Sequence, residues 1–429
     1  MLGFPVAFTL GGVALIFGGL TEGLDFFRLL PLRIWGVMTN YVLIAVPLFV
    51  YMGVMLEKSG LAEELLETMA LLFGRLRGGL AVSVIVVGTL LAASTGIVGA
   101  TVVTMGILSL PTMLKRGYSP EVATGTIAAS GTLGQIIPPS IVLVLLGSIL
   151  NVSIGDIFLA AVIPSLILVG LYLAWVMTIA VVKPNAAPAM PAAELAQFRG
   201  MAMVERLIKA LFLPFLLILA VLGSIFAGIA SPTEAAAVGA LGATLLTVVQ
   251  GRFTYANLKA VMAETTHLTC MVFVILVGAT AFGLVFRQLG GNEFIAGLVT
   301  GANLSPMAFL VIVMIVVFIA GFFIDFIEIT FIIVPIVHPM FEEMGISLIW
   351  FGILIAMNLQ TSFLTPPFGF SLFYLKGVAP PSVKTSHIYR GIIPFTAIQG
   401  AGVALVLVFP QLALWLPAFF DQLHRASGS

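Results

Sequence analysis

Residues 111–139, PTMLKRGYSPEVATGTIAASGTLGQIIPP, and residues 339–367, PMFEEMGISLIWFGILIAMNLQTSFLTPP, read as two copies of one unit. With a shift of 228 and no gap, Pro111 falls on Pro339, Gly117 on Gly345 and Ser119 on Ser347. Pro138 and Pro139 fall on Pro366 and Pro367. Composition alone yields about 0.1 Pro-on-Pro match in such a window, and three occur. Pro120 and Pro335 have no partners, so the copies have diverged.

What surrounds the copies is built for lipid. Of 429 residues, 61% are hydrophobic and 8% charged, with mean hydropathy +1.21. Soluble domains carry roughly 25% charged residues. Apolar runs of about 20 residues recur, long enough for helices to cross a bilayer. Apolar and polar residues do not alternate as they would in an outer-membrane barrel. The fold expected is therefore an all-α polytopic membrane protein. A net charge of zero offers no basic patch to nucleic acid. The single cysteine, Cys270, excludes an intrachain disulfide. No Lys or Arg precedes Arg28, so residues 3–20 read as a retained helix and not a signal peptide.

Candidate spans are 3–20, 39–56, 80–113, 119–150, 157–182, 208–229, 232–250, 264–286, 307–343, 347–377 and 391–418. Two of these, 80–113 and 307–343, are too long for one crossing and are interrupted at their centres. Two others, 119–150 and 347–377, carry the Pro-Pro pairs. Residues 59–75, with Glu63, Glu64, Glu67 and Arg75 among leucines, read as an interfacial amphipathic helix. Five crossings separate the copies, and an odd number inverts the second. With residues 113–118 in the cytoplasm, 14 of the 18 Lys and Arg lie inside, leaving only Arg28, Arg33, Arg287 and Arg425 outside. That is the bias expected of a correctly oriented membrane protein. The second copy reads as starting with 208–229, for which the first copy has no counterpart, so a preceding helix is expected upstream of residue 1.

Each copy pairs a hairpin, tipped by small and polar residues, with a helix broken at Pro-Pro. The first tip is Ala93-Ser94-Thr95-Gly96-Ile97-Val98-Gly99-Ala100-Thr101, and the second holds Asp325-Phe326-Ile327-Glu328-Ile329-Thr330. Proline removes a donor and clashes with the turn before it, freeing carbonyls. In lipid such carbonyls are costly, whereas around a cation they are ligands. Helix N-termini after the breaks present positive dipole ends that suit an anion. Paired interrupted segments in inverted halves mark a transport site. Buried carboxylates such as Asp325 and Glu328 are functional candidates by default, although Glu328 could instead sit at a wet hairpin opening. A lone Ser/Thr/Gly cluster is more often helix packing; duplication in register favours a site. His267 and His338 read as packed or interfacial, and Arg287 as a snorkelling helix end. There is no HExxH, GxSxG, Walker loop or Cys/His cluster, so neither an enzyme nor an ATP-driven pump is expected.

These stretches resemble the large membrane subunit of TRAP (tripartite ATP-independent periplasmic) transporters. The resemblance rests on GFPVAFTLGG at 3–12, GTLGQIIPPS at 131–140, SPTEAAAVGA at 231–240, FIDFIEITFIIVPI at 323–336 and NLQTSFLTPPFGFSLFYLKGVAP at 358–380. It implies an elevator-type fold with two inverted repeats, each with a re-entrant hairpin and a Pro-Pro broken helix. It also implies a bacterial inner-membrane importer of a small organic acid, coupled to sodium. The partners it implies are a small four-helix membrane subunit, a periplasmic substrate-binding protein, the carboxylate substrate and the bilayer, with no nucleic acid. A stand-alone sodium- or proton-coupled carboxylate symporter of the same fold is the alternative.

On this resemblance, Na+ is expected at the hairpin–break junctions, held by Ser94, Thr95, Gly99, Gly131, Gly134, Asp325, Glu328, Thr330, Asn358, Thr361 and Ser362. Substrate is expected at Thr101, Thr132, Pro138, Ser140, Gln360, Thr365 and Pro366. Glu328 and the QTS at 360–362 depart from the family pattern. The expected division is scaffold at 1–56 and 208–250, an interfacial helix at 57–79, and transport-domain hairpins with broken helices at 80–150 and 307–377. A transmembrane helix at 151–182, a cytoplasmic linker at 183–207, a helix with interfacial connections at 251–306 and a C-terminal helix and tail at 378–429 complete it.

Overall fold

The computed structural model describes residues 5–21, 23–96, 98–191, 211–366 and 369–427. Among these, nineteen α-helices and no strands are found. They are α1 Val6–Thr21, α2 Leu24–Met38, α3 Ala45–Lys58, α4 Leu61–Phe73, α5 Gly79–Thr95, α6 Val98–Lys115, α7 Pro120–Thr132, α8 Ile141–Ile149 and α9 Ile154–Val182. After the segment 192–210, which lies outside the described residues and holds most of the expected linker, come α10 Leu213–Phe226, α11 Pro232–Val249 and α12 Tyr255–Gln288. The remainder are α13 Gly291–Gly301, α14 Pro306–Ala320, α15 Phe326–Glu343, α16 Leu348–Leu364, α17 Phe370–Val378, α18 Thr385–Val408 and α19 Gln411–Ser427. Among the described residues, six helical segments are long and apolar enough to cross a membrane: Tyr41–Lys58, α6, α9, α11, α12 and α18.

Local chemistry fixes many helix starts. Ser119, Ser231 and Ser305 are N-caps followed directly by proline. Proline there loses nothing, because the first helical N–H has no intrahelical partner. Ser231 and Glu234 close a reciprocal capping box.

The two overlong apolar segments resolve into hairpins, α5–α6 and α14–α15. The broken helices resolve into α7, a 3-10 turn Leu133–Gln135 and α8 in the first copy, and α16 followed by α17 in the second. Both post-break helices are nine residues long. The Pro138–Pro139 bond is cis. The order amphipathic helix, hairpin, broken helix, long helix thus runs twice, as α4–α9 and as α13–α18.

Packing between the copies is reciprocal. Helix α1 lies along α12, while α11 lies along α3. Arm α6 packs on α17, while arm α15 packs on α8. Helices α7 and α18 cross where glycines meet: a side chain at Gly125 would strike the Gly391 carbonyl, and one at Gly391 the Glu121 carbonyl. Large apolar side chains remain on the outside, among them Phe8, Ile16, Val181, Leu219 and Val249, as a lipid-facing belt requires.

The structure departs from the expected spans in four places. Leu24–Met38 is helical although Asp25, Arg28 and Arg33 break its apolar run; the charges sit on its exposed side. Helix α12 starts well before residue 264, because Thr254 caps it by accepting from the Asn257 N–H at 3.1 Å. Gly291–Gly301 forms a second short helix, opened by Gly290 in the left-handed region at φ 74°. The C-terminal segment is two helices, α18 and α19, because Pro410 cannot continue the first.

Candidate functional site

A cavity of about 120 Å³ lies where the two hairpin tips and the two breaks converge. Val98 and Gly99 line it from the first turn of α6, and Ile141 opens α8. Asp325, Phe326 and Ile327 line it from the start of α15, and Phe370 opens α17. Four helix N-termini therefore face one small space. The far wall is Val50 of α3 with Leu268, Met271 and Val272 of α12. Phe363 and Tyr374 complete it, with Phe363 packed between Phe326 at 6.2 Å and Phe370 at 5.1 Å.

Each N-terminus leaves backbone N–H groups without intrahelical partners and carries a partial positive charge. Ser140 and Gly369 supply no side-chain cap to α8 and α17. No Lys or Arg is among the described residues lining the cavity, so partial positive charge there is supplied by the helix N-termini, with the Asp325 carboxyl group beside them. Such an arrangement suits an anion such as a carboxylate.

At the second tip the acids do local work. Asp325 is the N-cap of α15 and accepts from the Phe326 N–H at 2.8 Å. Glu328 reaches back to accept from the Asp325 N–H at 3.3 Å, closing a capping box. Asp325 lines the cavity; Glu328 does not. Thr330 is fully buried, and its hydroxyl has no hydrogen-bond partner among the described residues.

The breaks are tied by serines. Ser140 Oγ donates to the Gln135 carbonyl at 2.8 Å, and Ser371 Oγ donates to the Phe363 carbonyl at 2.8 Å. Residues 135 and 363 correspond under the shift of 228, so the same carbonyl is freed and then held in both copies. Hairpins and breaks touch closely. A side chain at Gly131 would collide with Val102, and one at Gly321 with Ser362. Gly134 sits against the Ala92 carbonyl, at 3.2 Å from an added Cβ.

Of the residues expected at the site, Gly99 and Asp325 line the cavity. Asn358 turns to α14, donating Nδ2–H to the Met314 carbonyl at 2.7 Å. Thr361, Ser362 and Thr365 donate back to the carbonyls of Met357, Leu359 and Thr361. Thr101 and Pro138 are buried or nearly so, and Pro366 is half-buried beside the second break. Thr132, the last residue of α7, and Gln360, in the last turns of α16, are buried just ahead of the breaks and are not on the cavity wall. The side chains of Ser94 and Thr95, and Pro367 of the second pair, lie outside the described residues. Sequence reasoning misses Val98, Ile141, Phe370 and Tyr374. Their signal is position alone, since Ile141 and Phe370 are the first helical residues after each break.

The family model for the DctM component of the tripartite ATP-independent periplasmic transporter matches residues 1–412. The C4-dicarboxylate TRAP transporter large permease protein DctM of Pseudomonas aeruginosa is 33% identical over 398 residues, covering 92% of this chain and 90% of that protein. The sialic acid TRAP transporter large permease protein SiaM of Vibrio cholerae is 31% identical, and the ectoine TRAP transporter large permease protein TeaC of Halomonas elongata is 30% identical. Both alignments cover 97% of this chain and 96% of the relative. Among solved structures, the Alcanivorax borkumensis YdaH transporter superposes with a TM-score of 0.67 at 16% identity, covering 96% of each chain. At that identity the likeness speaks for the fold alone.

Proposed function

Because the chain belongs to the DctM family of TRAP transporters, as a large permease and multi-pass inner-membrane protein, we propose that it imports a small organic acid driven by a sodium gradient. The observation that carries the substrate class is the convergence of four helix N-termini on one cavity without a basic side chain among its described lining residues. A carboxylate there would be held by backbone N–H groups. The relatives' names cover a C4-dicarboxylate, sialic acid and ectoine, so one architecture serves differently shaped substrates.

Sodium would bind at the hairpin–break junctions, where Gly131 and Gly134 meet the first hairpin and Ser362 meets Gly321 of the second. Free oxygen donors there include the second carbonyl lone pairs at the breaks and Asp325. The two hairpins and two broken helices interlock through α6 with α17 and α15 with α8. As one body they would slide, elevator-fashion, along a scaffold containing the α1–α12 and α3–α11 pairs. The copies would stand inverted in the bilayer. A small membrane subunit would complete the scaffold, and a periplasmic binding protein would deliver the acid.

The test is uptake by proteoliposomes holding this chain with its small membrane subunit and binding protein. Organic-acid uptake should require an inward sodium gradient and collapse when it is dissipated. Uptake indifferent to sodium sinks the coupling. Uptake that persists without the binding protein would instead make this a self-sufficient symporter.

A further inference from the structure

Behind the breaks, away from the cavity, four polar side chains meet in the apolar interior. Gln399 of α18 donates Nε2–H to Thr132 Oγ1 at 3.3 Å. Tyr172 of α9 sets its hydroxyl beside the amides of Gln399 and Gln360. Thr132 is the last residue of α7, immediately ahead of the first break. Gln360 lies in the last turns of α16, ahead of the second. Thr132, Tyr172 and Gln360 are 0% exposed and Gln399 is 1% exposed.

This cluster is only partly satisfied. Both amide atoms of Gln360, Oε1 of Gln399 and the Tyr172 hydroxyl lack a partner in good hydrogen-bond geometry among the described residues. Orphaned buried polar groups carry a desolvation penalty, and apolar residues of similar shape would avoid it. They call for a reason beyond packing. Packing does fix the Tyr172 ring, edge-on to Phe395 at 5.2 Å and 82°, so the hydroxyl is aimed and not wandering. Between them these orphaned atoms offer both donors and acceptors.

We propose that Thr132, Gln399, Tyr172 and Gln360 form a positioning relay that couples the two broken segments, closing fully only when both breaks are occupied. None of the four is among the residues that line the cavity. The relay reaches one break through Thr132 and the other through Gln360, and the long helices α9 and α18 carry the two middle members. Occupancy at one break then favours occupancy at the other, by reciprocal linkage. This rests on the proposed sodium sites at both breaks.

The experiment is sodium activation of uptake by the complete three-component transporter in proteoliposomes. Tyr172→Phe keeps the ring packed on Phe395, and Thr132→Val keeps the side-chain shape; each removes one hydroxyl. Wild type should show a Hill coefficient above 1. Each variant should fall toward about 1, with half-saturating sodium raised about tenfold. The double variant should be no worse than the single ones, because they break one network. Thr132→Ser should restore cooperativity. Thermal stability of the purified variants separates a folding defect from a coupling defect. Unchanged cooperativity in a stable Tyr172→Phe or Thr132→Val protein overturns the relay while leaving sodium-driven transport standing. Wild-type uptake that ignores sodium overturns both.

Discussion

Asp325 shows how one side chain can hold two roles that sequence pattern does not separate. It caps α15 and it also lines the cavity. Replacing an N-cap with Ala costs about 1 kcal/mol, whereas Asn caps about as well as Asp. Asp325→Ala should therefore lower thermal stability by about that amount, and Asp325→Asn should leave it unchanged. Both should raise the sodium concentration needed for half-maximal uptake if the charge serves the ion; uptake by Asp325→Asn that matches wild type would leave capping as its whole role. The capping box is legible in the sequence, since a capping residue followed three positions later by Glu is its signature. Two carboxylates in a membrane segment equally fit a functional site, and the sequence does not separate the two readings. Gln399 and Tyr172 are not legible. Each is a lone polar residue in an apolar run, and only tertiary packing brings them to Thr132 and Gln360.

At the scale of elements, the Pro-Pro pairs locate both breaks from sequence alone. What they do not show is how the freed carbonyls are satisfied. Ser140 serves Gln135 within the first motif, but Ser371 serves Phe363 from the first turn of α17, across a gap of eight residues. Both overlong spans are legible as hairpins because they are too long for one crossing and small or polar residues interrupt them. The helix Leu24–Met38 is not, because three charged residues disguise it. The α7–α18 crossing offers a sharp test of helix packing. A methyl group at Gly391 meets backbone on α7, which has no flexible end to move aside. Gly391→Ala should destabilise the protein by about 1–3 kcal/mol, read as a lowered melting temperature in detergent. A melting temperature equal to wild type would mean that the two helices can part without cost.

For the whole molecule, the proposed inversion of the two copies has a direct readout. In a Cys270→Ser background, single cysteines at Lys115 and Glu343 end corresponding arms, α6 and α15, and both positions are exposed. An impermeant maleimide added to intact cells with a permeabilised outer membrane should label Glu343→Cys and spare Lys115→Cys. Labelling of both, or neither, contradicts an inverted pair. The charge distribution is the sequence's argument for this proposed orientation, while the reciprocal packing of α1 on α12 and α11 on α3 is invisible in sequence, being a property of neither copy alone. That exchange has a consequence for how the protein is made. Helix α1 leaves the ribosome well before its main neighbour, whose first residue, Tyr255, is more than 230 residues further on. At about 5–20 residues per second of synthesis, α1 spends about 12–45 s in the bilayer before that surface exists. A nascent chain must therefore be shielded at the insertion machinery, or tolerate lipid on a face destined for protein. Splitting the gene between the halves would yield two fragments that are each missing a wall.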